Sequence, residues 1–198
     1  MSALVRLWNH YAERRPLLTL SLTNGAMAGA GDAIAQLLAP AQASGSQRAA
    51  QAYDPWRTAR FGAFGCLFGP VAFRWYSLLD RRFPLPAKAA AWARARAIGK
   101  RVAADQVLFA PVAVASFFAV MGALEQKTPG EIGASFRDKY PAALAGNYVL
   151  WPAAQVINFG VVPLVYRVPF SGLVSVLWNT YLSLVNSRRC AEPGRACR

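Results

Sequence analysis

Residues 140–187 read YPAALAGNYVLWPAAQVINFGVVPLVYRVPFSGLVSVLWNTYLSLVNS, 48 consecutive positions with one charged side chain, Arg167. A soluble domain of ordinary composition, about a quarter charged, leaves no such stretch bare. A bilayer core about 30 Å thick is crossed by roughly 20 apolar residues at 1.5 Å each, so the stretch holds one crossing over 140–166 and a further apolar helix over 168–187. That helix is either a fifth span or a segment packed within the bundle. Ser171, Ser175, Asn179, Ser183 and Ser187 recur on it every four residues, a polar stripe on an otherwise apolar helix.

Outward from this stretch the same pattern repeats. Leu17 to Leu38 carries only Asp32, Phe61 to Leu79 only Arg74, and Val102 to Leu124 only Asp105. The expected fold is therefore all-α, an integral membrane helical bundle in a single domain over 1–198, with four transmembrane spans at about 17–38, 61–79, 102–124 and 140–166. The composition agrees. Lys and Arg outnumber Asp and Glu 22 to 9, giving +13, yet 55% of the 198 residues are hydrophobic and 16% charged. That balance excludes a disordered chain, which needs low hydrophobicity. A single His and three Cys without CxxC spacing leave no metal cluster, no Ser-His-Asp set and no disulfide framework, so no cofactor and no enzymatic activity are expected.

The connections set the topology. Ala39 to Tyr53 is a polar loop of Ala, Gln, Ser and Gly; Glu125 to Lys139 reads as a neutral solvated turn around Pro129 and Gly130. The connector over 80–101 holds Arg81, Arg82, Lys88, Arg94, Arg96, Lys100 and Arg101 among alanines, and reads as a surface helix against anionic lipid headgroups. With four spans, the N-terminus, this connector and the C-terminal tail share one face with 14 of the 22 Lys and Arg. A fifth span would even the distribution, so charge asymmetry favours four. The basic residues abut membrane segments, which points to lipid and not to direct nucleic acid binding. The first 16 residues and the apolar run after them read as a retained first span and not as a cleaved leader.

Polar groups within the apolar segments are the candidate functional residues, because they face the bundle interior or a watery cavity in preference to lipid. They are Asp32, Gln36, Arg74, Asp105, Gln106, Asn147, Gln155, Asn158 and Asn179. Several segments each contributing inward polar groups is what a hydrophilic conduit requires; a set of groups that all pair with one another is what a non-conducting scaffold requires. Asp32 is either a pore-lining carboxylate or half of an ion pair with Arg74 or Arg60. Gly25 and Gly29, and Gly65 and Gly69, have the four-residue spacing that lets membrane helices approach closely. The aromatic residues Trp8, Tyr11, Trp56, Trp75, Tyr76, Trp151 and Trp178 are expected as interfacial anchors.

A collinear series runs through nearly the whole chain: Trp8, Tyr11 and Pro16; Gly29, Gly31, Asp32 and Gln36; Asp54, Arg57 and Arg60; Gly69, Pro70, Trp75 and Tyr76; Asp105, Gln106 and Pro111; Asn147, Trp151, Pro152, Gln155, Asn158, Pro163 and Arg167; Trp178 and Asn179. In this order the chain resembles the peroxisomal membrane protein two/four family, with members of the Mpv-seventeen and Sym-one type. It departs from the family pattern at Phe73, where His is common, and at Tyr148 and Val149, where Trp and Lys are common. The resemblance implies a four-span, multi-pass protein of the mitochondrial inner membrane or the peroxisomal membrane. It also implies weakly selective channel activity toward small-molecule solutes, with links to mitochondrial DNA maintenance and stress response. Self-association into a homo-oligomer stays open.

Overall fold

The computed structural model describes residues 3–38, 53–85 and 90–177, and every regular element among them is helical. In chain order these are α1 (Ala3–Arg14), α2 (Pro16–Leu38), α3 (Pro55–Arg82), α4 (Ala91–Ala104), α5 (Ala110–Leu124) and α6 (Pro129–Gly160). A π-turn, Asp105–Phe109, joins α4 to α5 without a break. The last helix, α7, runs Leu164–Leu177 and opens on a 3-10 turn. Trp178 and the last three residues of the polar stripe, Asn179, Ser183 and Ser187, lie outside the described residues.

Around an apolar core of Leu20, Leu79, Phe159 and Val168, the bundle buries many polar groups and exposes many apolar ones. Asp32, Arg101, Asp105, Gln106, Gln155, Asn158 and Arg167 are buried, while Leu22, Leu37, Leu67, Val107, Val112 and Val149 are each more than half exposed. Such a surface is adhesive in water and is the solvent-matched side in hydrocarbon. By length and composition alone, one continuous helix among the described residues qualifies to cross a membrane: Ala91–Leu124, with mean hydropathy 2.3 over its most apolar window. Helices α2, α3 and α6 are long enough, at 23, 28 and 32 residues. Their charged, amide, hydroxyl and glycine positions dilute the apolar signal, so composition alone does not carry the count of four.

Three boundaries differ from the sequence reading. The basic connector is not a separate surface helix; its second half, α4, is the beginning of the same helix that continues through α5. Its alanines and arginines are strong helix formers, with no proline between Ala91 and Pro111. The supposed turn around Pro129 and Gly130 is the first turn of α6. Thr128 accepts from Glu131 N–H, the Glu131 carboxylate accepts from Thr128 N–H at 2.8 Å, and Pro129 occupies a first-turn position where a missing N–H costs nothing. Finally, the helix expected over 140–166 ends at Gly160, and Arg167 lies within α7. The break falls at 161–163, with Pro163 in extended conformation ahead of the new helix.

Helices α2 and α3 pack most closely. A Cβ on Gly65 would stand 2.7 Å from Ala28 Cβ and from Asn24 O, and one on Gly69 would stand 2.8 Å from Leu20 O. Gly25 lies against Gly62 O and Cys66, whereas Gly29 sits where the helices have begun to diverge, with Thr58 O 3.7 Å from a Cβ placed there. Internal prolines are compensated by neighbours. Pro70 has no N–H for Cys66 O, four residues earlier in α3, and Ser21 Oγ donates to that carbonyl at 2.5 Å. In the π-turn, Ala110 N–H reaches back to Asp105 O. Pro111 offers nothing to the next carbonyl in that series, Gln106 O, which accepts from Tyr148 OH at 3.0 Å.

Helix α1 docks at the end of the bundle where α2 begins. Trp8 stacks on Tyr166 with ring centroids 5.2 Å apart and donates to Thr23 Oγ1 at 2.9 Å. Below it, Asp80 at the end of α3 pairs with two buried guanidiniums. Arg101 Nη1 meets its Oδ1 directly, and Arg167 Nη1 donates to the same oxygen at 2.7 Å. Arg101 also donates twice to Phe83 O, and Arg167 donates to Val162 O while lying over the Phe159 ring. One carboxylate thus ties α3, α4 and α7 together.

Candidate functional site: a cavity with a polar interior wall

The helices enclose a cavity of about 650 Å³. Its α3 wall runs from Arg57 near the start of the helix to Tyr76 near its end, while α2, the π-turn, α5, α6 and α7 supply the other sides. Phe61, Phe64, Phe68, Phe109 and Phe117 make much of the surface apolar, and the polar groups gather in two clusters.

The first cluster lies where α2 ends and α3 begins. Asp32 Oδ1 is 2.9 Å from Arg57 Nε, and Asp32 Oδ2 accepts from Gln36 Nε2 at 2.7 Å and Thr58 Oγ1 at 2.8 Å. Gln36 in turn donates to Asp54 O and accepts from Asp54 N–H. Asp54 caps α3 through Arg57 N–H and pairs with Arg60 at 3.3 Å. The partner of Asp32 is thus Arg57 and neither Arg74 nor Arg60. One helical turn past the N-cap places that guanidinium back toward the end of α2.

The second cluster lies toward the other end. Asp105 Oδ1 accepts from Trp75 Nε1 at 2.8 Å, and Oδ2 accepts from Gln106 Nε2 at 2.8 Å and Gln155 Nε2 at 2.9 Å. Gln155 Oε1 accepts from Asn158 Nδ2 at 2.7 Å; Tyr76 OH and Ser171 Oγ, 3.1 Å apart, close the network onto α3 and α7. Three helices, α3, α6 and α7, and the π-turn meet here. The extra residue of the π-turn sets Asp105 and Gln106 side by side on the inward face, both buried.

Of the candidate residues, Asp32, Asp105, Gln106, Asn147 and Gln155 line the cavity. Gln36 and Asn158 stand behind it and hold Asp32 and Gln155. Arg74 is exposed on the outside of α3. Ala72 and Tyr76, both buried, define the inward face of that helix, and a residue midway between them falls about 200° away. Arg74 therefore has no part in charge selection within the cavity. Trp75, Tyr76 and Trp151, expected as interfacial anchors, turn inward instead: Trp75 donates to Asp105, Tyr76 is 3% exposed, and Trp151 lines the cavity. Trp56, by contrast, is 75% exposed. Sequence reading passed over Arg57, Tyr76 and Ser171 as cavity groups. The serine was visible as part of the polar stripe, and Tyr76 falls at helical spacing from Gly65, Gly69 and Ala72. A smaller cavity of about 230 Å³ adjoins the first, sharing Arg57, Phe61, Phe117 and Phe118, and carries Glu125, Lys127 and Lys139 at its rim.

The model of the Mpv17 / PMP22 family matches residues 122–183, the region from the end of α5 through α6 and α7. Along the full chain, a protein SYM1 of Gibberella zeae is 39% identical over 95% of this chain and all of its own length. Protein sym-1 of Neurospora crassa is 37% identical over 88% of this chain and 94% of its own length. The mitochondrial inner membrane protein Mpv17 of Bos taurus is 36% identical over 91% and 96%, respectively. No solved structure matches the chain. With many exposed apolar groups, a polar-walled interior and relatives of this identity over nearly their whole length, the chain belongs to the Mpv17 / PMP22 family of organelle membrane proteins.

Proposed function

We propose that this protein is a multi-pass component of the mitochondrial inner membrane whose central cavity is a weakly selective passage for small solutes. The observation that carries the reading is the extent of the cavity. Its wall on α3 covers the helix from Arg57 to Tyr76, about 28 Å at 1.5 Å per residue, close to the thickness of a hydrocarbon core. The spans in this reading are α2, α3, the continuous α4–α5 helix, and α6, with α7 packed against the cavity. The connector side then carries exposed Arg81, Arg82, Arg94, Arg96 and Lys100 against anionic lipid headgroups. No chemical step is required.

A second reading, a non-conducting scaffold supporting mitochondrial maintenance, draws on the pairing of most buried polar groups with one another, as in the Asp32 and Asp105 clusters. Purified protein in a planar bilayer separates the two. The passage predicts discrete conductance that falls when Ala113, on the cavity wall, is replaced by Phe. Wild-type protein that is folded and never conducts leaves the scaffold.

A further inference from the structure

Two buried polar atoms of residues lining the cavity have no hydrogen-bond partner among the described residues. Gln106 is 8% exposed, and its Nε2 donates to Asp105 Oδ2 at 2.8 Å, which fixes the orientation of the amide. Its Oε1 is buried without a hydrogen-bond partner among the described residues, and so is Nδ2 of Asn147, another residue lining the cavity. Reversing the Gln106 amide would set its oxygen against the Asp105 carboxylate, so the lone acceptor is a property of the site. Buried polar atoms are nearly always partnered, and one acceptor and one donor left without partners in a single cavity are suited to an occupant that supplies both.

The charges on the wall restrict what that occupant is. Asp32 is balanced by Arg57. Asp105 is met by three neutral N–H donors, with no cation at ion-pair distance among the described residues. An anion moving into this low-dielectric space would meet no surplus cation and one surplus carboxylate. A cation would find that carboxylate already engaged by Trp75, Gln106 and Gln155. Hydroxyl groups, which donate and accept at once, match unpartnered amide atoms such as Gln106 Oε1 and Asn147 Nδ2. Trp151 and Phe109, which also line the cavity, supply aromatic surface for the C–H groups of a carbon chain bearing such hydroxyls. We infer that Gln106 and Asn147 form a recognition site, within the cavity, for a neutral polyhydroxylated solute. This names the substrate class for the passage proposed above and rests on that reading.

The test uses the full chain reconstituted into liposomes, with xylitol as the neutral probe and tartrate and choline as charged probes of similar size, followed by light scattering after an osmotic step. Wild-type protein is expected to pass xylitol about tenfold faster than either ion. Asn147→Leu keeps the number and branching of the side-chain heavy atoms and removes an unpartnered donor. It should fold at least as well as wild type and lose about five- to tenfold of the xylitol rate, as expected for one hydrogen bond, with Asn147→Ser in between. Ions passing as fast as xylitol, or an Asn147→Leu protein that keeps the full xylitol rate, overturns the site while leaving the passage standing. If no probe crosses, the passage fails, and titration of Trp151 fluorescence with xylitol in detergent reads the site by itself. A saturable change that Asn147→Leu abolishes upholds the site, and its absence in wild type overturns it.

Discussion

Replacing Asp80 by Asn removes the single carboxylate shared by two guanidiniums that water barely reaches. The side chains of Arg101 and Arg167 are 3% and 6% exposed. After the change each keeps its bond to a backbone carbonyl, Phe83 O or Val162 O, and loses its counter-charge. Removing one partner from a buried ion pair costs about 3–5 kcal/mol, chiefly because the remaining charge is left desolvated. Asp80 itself is 27% exposed on its side chain, and water at that edge screens the pair, so the expectation is the low end, about 3 kcal/mol. At roughly 2–4 °C per kcal/mol for a chain of this size, the melting midpoint in detergent should fall by about 6–12 °C. Asp138→Asn, on an exposed carboxylate in the first third of α6, is the control and should move it by less than about 2 °C. Adding Arg167→Gln to Asp80→Asn leaves one stranded cation where there were two, so the double variant should melt above the value that the single variants sum to. An Asp80→Asn protein that melts with the Asp138→Asn control refutes the idea that this triad holds α3, α4 and α7 together.

Two further outcomes follow from packing and capping. Gly65→Ala drives a Cβ into Ala28 and the backbone of Asn24 and should cost about 1–3 kcal/mol, whereas Gly146→Ala, mid-helix in α6 with open space around it, should stabilise by about 0.5–1 kcal/mol; thermal melting of the pair checks both signs. The Glu131 carboxyl is held below the ordinary carboxylate range by the Thr128 backbone N–H and then by its hydroxyl. Because its pKa is depressed in the folded state, the contribution of this cap is complete above the unfolded carboxylate pKa and is lost as pH falls through the lower folded value. Exchange of the Glu131 and Ile132 amides, corrected for intrinsic rates, should therefore accelerate at low pH in wild type and lose that extra pH dependence in Glu131→Gln.

The helical class and the approximate positions of the long helices were legible because charge-free runs of twenty residues have few other uses, and the relatives bear out the membrane family that the collinear residues suggested. What stayed hidden has physical causes. Pro129 and Gly130 resemble a turn until the reciprocal bonds of Thr128 and Glu131 are seen, after which the same proline is a helix start. Arg74 and Asp32 lie in neighbouring apolar runs and read as equivalent, yet the inward phase of α3 is set by Gly65, Gly69, Ala72 and Tyr76 and leaves Arg74 outside. Arg57, which pairs with Asp32, falls between the loop read over 39–53 and the span read from Phe61, where hydropathy assigns nothing. Trp75 and Tyr76 near the end of an apolar run are what an interfacial belt also looks like; only the position of Asp105 on another helix distinguishes a hydrogen-bond donor from an anchor.

The π-turn at Asp105–Phe109 gives the long helix one residue more than a regular α-helix would hold there. One residue is about 100° of rotation. The turn works as a phase shifter: α5 faces α6 and the cavity on one setting, and α4 presents Arg101 to Asp80 on another. A one-residue deletion there, or a redesign toward ideal helix geometry, would yield a straighter helix with better backbone bonds. It would also swing Arg101 about a quarter-turn out of its pocket and part Asp105 from Trp75 or Gln155. At this point the irregular backbone is what lets a single helix satisfy two incompatible sets of neighbours, and the sequence is constrained there by angle more than by volume.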